Sequence, residues 1–193
     1  MKNLRSIMSV LLALWIVGVM PISARPRAKR VVMIALDGIS VPGFTTAHTP
    51  NLDNLLAQGA LSLTTRVVMP SVTLPNWTSH LTGSGPEQHG VVDNGWQIDK
   101  KGFPAVEIDK EGYYPSVFKV MKEEIPECKT AFYYNWINLF YPYNKKYLDE
   151  VSYLENDAYV PNYEKAFDFI VRNQDLPTLV FLYSVHTDHA GHA

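Results

Sequence analysis

The chain has 193 residues, 47% of them hydrophobic and 12% aromatic, enough for one sizeable core and a balance that excludes a disordered chain. Its formal net charge is -2 with 19% charged residues, so there is no basic excess suited to polymeric nucleic acid, and small or soluble substrates fit better. Cys128 is the only cysteine, which excludes an internal disulfide and a thiolate zinc cage and leaves oxygen and imidazole as donors for any metal.

Lys2 and Arg5 precede an almost wholly apolar run over residues 7–20, followed by Pro21, Ile22, Ser23 and Ala24. This reads as an export signal over residues 1–24, because the run is short for a bilayer-crossing helix of ~20 apolar residues. Arg25, Arg27, Lys29 and Arg30 place more positive charge after the run than before it. That bias tends to hold the flank in the cytoplasm and makes an uncleaved anchor the alternative to release outside the cell or into the periplasm.

Residues 31–36 (VVMIAL) form a continuous apolar run, as expected of a parallel strand covered on both faces, and stop at Asp37-Gly38. Thr49-Pro50 opens a helix with apolar positions 52, 55 and 56 and Gly59 as its stop. A second apolar stretch covers residues 60–69, and a second helix is expected from Pro75. Residues 94–114 are more polar and read as an excursion or hairpin outside the sheet. Residues 116–124 predict a helix, 130–134 a strand, 163–172 a helix with Phe167, Ile170 and Val171 on one face, and 178–183 (TLVFLY) another apolar strand. Strands alternating with helices predict an α/β fold with a mostly parallel sheet flanked by helices. Neither an internal repeat nor a low-complexity linker is present.

In open α/β sheets ligands bind beyond the carboxyl ends of the strands, which draws attention to three places. Asp37 directly follows VVMIAL, although a carboxylate there also serves simply to cap a turn with Gly38. Thr73, in PSVTLPNW, lies just ahead of Pro75, so its hydroxyl falls near a helix N-terminus that favours negative charge. Ser71 or Thr73 as an ordinary N-cap is the plain alternative. The third place is TLVFLYSVHTDHAGHA, where Asp188 and His192 stand four apart after a strand and would be aimed at one point by a turn or short helix. An oxygen and an imidazole nitrogen suit Zn²⁺, and manganese or iron as well. His186 and His189 read as bystanders or supporting groups, and Trp136, Tyr141 and Tyr143 as core or surface aromatics without an assigned role.

In order, ALDG, HTPNLDNLLAQGA, PSVTLPNWTSHLTG, GPEQHGVVDNGW and DHAGH resemble the type I phosphodiesterase/nucleotide pyrophosphatase branch of the alkaline phosphatase superfamily. The resemblance runs from about Val31 to Ala193 and is weakest over residues 102–173. It implies an alkaline-phosphatase-like fold, two Zn²⁺ ions, a threonine nucleophile and a covalent phospho-enzyme acting on a small phosphate ester. Carried over by position, Asp37 would bind one zinc that also contacts the Thr73 oxygen, and Asp188 and His192 would bind the second. Asn94 would donate a hydrogen bond to a phosphoryl oxygen. The sulfatase branch needs a cysteine or serine followed by x-Pro-x-Arg, and Thr73-Leu74-Pro75-Asn76-Trp77 offers neither. The phosphate-binding arginine of alkaline phosphatase monoesterases is not evident near Thr73, which leans toward diesters or pyrophosphates. A monoesterase or phosphonate hydrolase, a mutase, and a phosphate-binding module without turnover are the alternatives. The family's Ser-Asp-His-Gly-like motif and a later histidine do not occur in these residues. Residues 25–193 are therefore expected to be the N-terminal part of a longer catalytic domain, its sheet incomplete at the C-terminus and its zinc sites short of ligands.

Overall fold

Four parallel strands make one sheet in a computed structural model of the protein, which describes residues 28–100, 102–155 and 158–193. They are β1 (Arg30–Leu36), β2 (Lys129–Tyr134), β3 (Glu150–Tyr153) and β4 (Thr178–Ser184), in the spatial order β1-β4-β2-β3. The helices are α1 (Val41–Thr46), α2 (Pro50–Leu56), α3 (Thr73–Thr82), α4 (Pro86–His89), α5 (Val117–Glu124), α6 (Val160–Arg172) and α7 (His186–His192), with two 3-10 turns at Ile137–Phe140 and Lys145–Tyr147. The leader read over residues 1–24 lies outside the described residues. Among the described residues no helix is long and apolar enough to cross a membrane.

β4 is the centre of the sheet, and every one of its residues is buried because strands flank it on both sides and side chains cover both faces. The pleat sends alternate residues to opposite faces. On one face Leu179, Phe181 and Tyr183 join Phe132 and Tyr134 of β2, Leu74 and Leu81 of α3 and Phe118 of α5 in the larger core. The Phe132 and Phe181 rings lie 4.7 Å apart across the two strands. On the other face Val180 and Leu182 meet Ala131, Tyr133 and the α6 residues Ala166 and Phe169.

Several expectations need correcting. β1 is not covered on both faces: it is an edge strand of the described sheet, α6 lies over β2 and β4, and Val32 and Ile34 are left exposed, Ile34 at 61%. α6 buries Asn162, Ala166 and Phe169, with Ile170 half-buried, whereas Phe167 is 66% exposed and Val171 48%. The buried stripe is led by a polar residue, Asn162, whose Nδ2 donates to the Tyr134 carbonyl at 3.1 Å, so an apolar-only pattern set the helix face about one residue out. α3 begins at Thr73 rather than Pro75. Proline is tolerated anywhere in the first turn, where amides have no intrahelical acceptor, so Pro75 marks the turn without marking its first residue. The described residues of 94–114 hold no strand, so of the two expected alternatives the excursion is the one found, and Trp96 from that stretch is buried in the larger core. β3 was not legible, because the half-buried run EVSY is short and mixed.

Candidate phosphoryl-transfer site

The loops beyond the carboxyl ends of β1 and β4 are tied together before any ligand is considered. The Asp37 amide donates to the Ser184 carbonyl at 3.0 Å, extending the β1–β4 ladder by one rung, and Thr187 Oγ1 donates to the Asp37 carbonyl. Gly38 adopts φ 70°, a left-handed conformation that favours glycine, and a Cβ placed on it would lie 2.5 Å from Asp188 Cα. The backbones carrying Asp37 and Asp188 are therefore packed against each other at this one glycine.

α7 starts where Asn135 Oδ1, at the end of β2, accepts the Val185 amide at 2.9 Å. Its helical spacing brings Asp188 Oδ1 and His192 Nε2 to 3.5 Å, as the four-residue interval predicts. The Asp188 side chain is 26% exposed and that of His192 80%. His186 does not join them: its ring stacks on Tyr159 at 4.1 Å and 19°. Among the described residues no group of three or more His, Cys, Asp or Glu side chains converges. Asp37 thus stands beside Asp188 through the backbone without forming one donor cluster with the Asp188–His192 pair.

Thr73 is the first residue of α3, half-buried, and Val72 is the N-cap, with no side-chain cap bond. Neither Ser71 nor Thr73 fills the capping role, which leaves the Thr73 hydroxyl uncommitted to the helix N-terminus. Asn94 is held directly beside it, because its Oδ1 accepts the Leu74 amide at 2.8 Å and its own carbonyl accepts from Asn138 Nδ2 at 2.9 Å. With Oδ1 spent on the protein, Nδ2 is the part of the Asn94 amide left to donate outward. The helix N-terminus itself offers fewer donors than the sequence suggests. Leu74 N–H is taken by Asn94, Pro75 has none, and Asn76 N–H points back to Val72 at 3.4 Å.

A second strut joins α3 to the segment carrying Asn94. His89, buried at the end of α4, accepts the Val91 amide on Nδ1 at 3.1 Å, so its Nε2 carries the proton toward Ser79 Oγ of α3 at 3.0 Å. Burial lowers the His89 pKa from 6.5 to about 4, against the opposing pull of the Glu87 charge. Between those values the unfolded chain binds the proton and the folded chain does not. The stability from neutral His89 is therefore complete above pH 6.5 and is lost as pH falls through 4, on the order of 3 kcal/mol across the window. Urea midpoints from pH 7 to pH 4 are expected to fall more steeply for the wild type than for His89→Gln, and equal falls would contradict this.

The Thr73 and Asp37 halves meet through two aromatic residues that the sequence reading did not single out. Trp77, one turn after Thr73 on the same face of α3, sets its ring edge-on to Tyr183 at 5.8 Å and 86°. Tyr183, fully buried on β4, donates its hydroxyl to Asp37 Oδ2 at 2.6 Å. Burial, reinforced by the Asp37 charge, pushes the Tyr183 phenol far above its ordinary range, so it stays a donor. The signal was present in the strand's period of two, which puts the Tyr183 side chain on the α3 face just below the strand end, and in the i,i+4 spacing of Thr73 and Trp77.

The family described as Type I phosphodiesterase / nucleotide pyrophosphatase matches residues 31–193. An uncharacterized pyrophosphatase/phosphodiesterase of Schizosaccharomyces pombe is 25% identical over 194 aligned residues, covering 84% of this chain and 35% of that protein. Ectonucleotide pyrophosphatase/phosphodiesterase family member 3 of Mus musculus is 35% identical over 66 residues, 33% of this chain and 8% of that protein. Bis(5'-adenosyl)-triphosphatase enpp4 of Mus musculus is 30% identical over 83 residues, 42% of this chain and 18% of that protein. The chain spans about a third of the length of the first of these relatives and less of the other two. With the match running through every structured element from β1 to α7, this chain belongs to the type I phosphodiesterase/nucleotide pyrophosphatase family.

Proposed function

We propose that the full-length protein to which this chain belongs is a hydrolase of phosphate diesters or pyrophosphates that works through a phosphothreonine on Thr73. The observation that carries the reading is the Asn94–Leu74 bond of 2.8 Å, which holds a side-chain amide donor beside a threonine hydroxyl at the first residue of a helix. In the first step Thr73 Oγ1 gives up its proton and bonds to phosphorus as the bond to the leaving oxygen breaks, so the phosphoryl group on Thr73 still carries the substrate's second ester substituent. Water then cleaves this esterified phosphothreonine at the Thr73 oxygen, releases the phosphate monoester and regenerates the hydroxyl. Asn94 Nδ2 donates to a non-bridging oxygen, one of those over which the phosphoryl charge is spread in both transition states.

The donor chemistry of the site fits divalent metal, zinc first. Asp188 Oδ1 and His192 Nε2 face each other at 3.5 Å, and both Asp37 oxygens keep a lone pair beyond the bonds from Gly38 N–H and Tyr183. These three residues supply two donors for one ion and one for another, short of four-coordinate sites. Bound metal of this kind supplies Lewis-acid stabilisation of phosphoryl charge. A small phosphate ester is the proposed ligand. Export fits the printed name of the ectonucleotide relative.

The reading is tested on the full-length gene product with bis-p-nitrophenyl phosphate against p-nitrophenyl phosphate, with and without Zn²⁺. Zinc-dependent turnover that favours the diester is expected. Preference for the monoester moves the monoesterase alternative forward, and zinc binding without turnover of either substrate moves the binding-module or phosphonate alternatives forward. Asn94→Ala is expected to lower kcat by about 10²–10³-fold. Retention of wild-type kcat in that variant would remove Asn94 from the site.

A further inference from the structure

Among the described residues the Asp37 carboxylate accepts one side-chain hydrogen bond, from Tyr183, whose geometry does more than fill space. The Tyr183 hydroxyl donates to Oδ2 at 2.6 Å while the Gly38 amide donates to Oδ1 at 3.0 Å, so the carboxylate is gripped at both oxygens and cannot rotate about its Cβ–Cγ bond without losing one partner. Tyr183 is in turn held by Trp77, whose ring also meets Phe181 at 6.0 Å, and Trp77 stands one turn from Thr73. Five residues further along the chain β4 has passed into α7 and reached Asp188. One buried phenol therefore touches the carboxylate at the end of β1 and the helix of the threonine, and belongs to the strand that leads to the Asp188–His192 pair.

We infer that Tyr183 is a positioning residue, orienting the Asp37 carboxylate toward metal and setting the distance between that carboxylate and Thr73. The inference rests on the proposed role of Asp37 as a metal donor. Partners of this kind set the orientation of a ligand and the charge on its free lone pairs, and their loss typically lowers metal affinity or activity 10–100-fold. Removing the hydroxyl alone leaves the aromatic packing against Trp77 intact, so the effect is separable from loss of core.

The strand provides its own control. Tyr163 of α6 shares a hydrogen bond with Ser184 Oγ at 2.8 Å, the next residue of β4, and among the described residues its hydroxyl bonds no carboxylate. Tyr163→Phe therefore loses one comparable phenol bond without releasing Asp37.

The experiment measures Zn²⁺ affinity of the full-length protein by competition with a chromophoric chelator. It adds the visible absorption of the Co²⁺-substituted protein and the split of kcat against KM, for wild type, Tyr183→Phe, Tyr163→Phe and Asp37→Ala. Expected are a 10–100-fold weaker zinc site in Tyr183→Phe, an altered Co²⁺ band and a matching fall in kcat with little change in KM, while Tyr163→Phe behaves as wild type. If Asp37→Ala weakens zinc but Tyr183→Phe binds as wild type, the positioning role is overturned and the metal reading stands. If Asp37→Ala binds zinc as wild type, both fall. If Tyr163→Phe loses as much as Tyr183→Phe, the effect is general loosening of β4 and the inference is wrong.

Discussion

Thr73→Ala in the full-length protein is expected to lower kcat for diester hydrolysis by on the order of 10⁴–10⁶-fold, the scale on which enzymes lose a covalent nucleophile. The fold is expected to survive, because the structural roles open to Thr73 are filled by others. Val72 is the N-cap, Asn94 binds the Leu74 amide rather than the threonine, and Leu74 and Leu81 supply the buried face of α3. Thermal midpoints of wild type and variant should therefore agree within a few degrees, and zinc affinity should change less than turnover does. A variant that keeps a tenth or more of the wild-type kcat would show that the hydroxyl does not carry the phosphoryl group. One that loses turnover only because it unfolds would show that Thr73 is structural after all.

The second large effect is expected at a backbone position, in Gly38→Ala. The added Cβ would stand 2.5 Å from Asp188 Cα, a backbone atom that cannot turn aside, and alanine at φ 70° adds left-handed strain. Either β1 or α7 must shift, which separates Asp37 from Asp188. The expected result is destabilisation by about 1–3 kcal/mol together with a fall of about 10²-fold in kcat/KM, the usual consequence of a misplacement near 1 Å. Gly83 gives the comparison, since it has φ 68° at the end of α3 and no atom within 4 Å of its built Cβ. Gly83→Ala carries the same backbone cost without a collision, so it should lose stability but keep kcat/KM. Equal activity in the two variants would mean that the approach of Gly38 to Asp188 does not set the site.

The sheet and the ends of the chain's motifs were legible because their signals are local. TLVFLY can be little other than a buried strand, VVMIAL ends at the residue where a strand-end carboxylate belongs, and the four-residue interval of Asp188 and His192 becomes a 3.5 Å approach once residues 186–192 are helical. What was not legible depends on which elements become neighbours. The exposure of Val32 and Ile34 follows from β1 lying at the edge of the described sheet, an outcome of strand order that a single apolar run does not encode. The burial of Asn162 follows from the Tyr134 carbonyl opposite it, and the grip of Tyr183 on Asp37 joins residues 146 apart in the chain. Pro75 shows a third kind of gap. It limits where a helix can begin but leaves two residues of freedom, and those two residues decide whether Thr73 caps α3 or sits on its first turn with a hydroxyl to spare.

Trapping decides whether the attack on phosphorus is covalent. The full-length protein is mixed with diester substrate, quenched in acid within the first turnovers, digested and mapped by mass spectrometry. Expected is a phosphoryl group, still bearing the substituent retained from the diester, on the peptide that contains Thr73, localised to that threonine and absent from Thr73→Ala treated in the same way. Product formation at full rate with no phosphoryl group on Thr73 at any quench time, and with inversion at a chiral phosphorus centre, would contradict it and assign the attack directly to water.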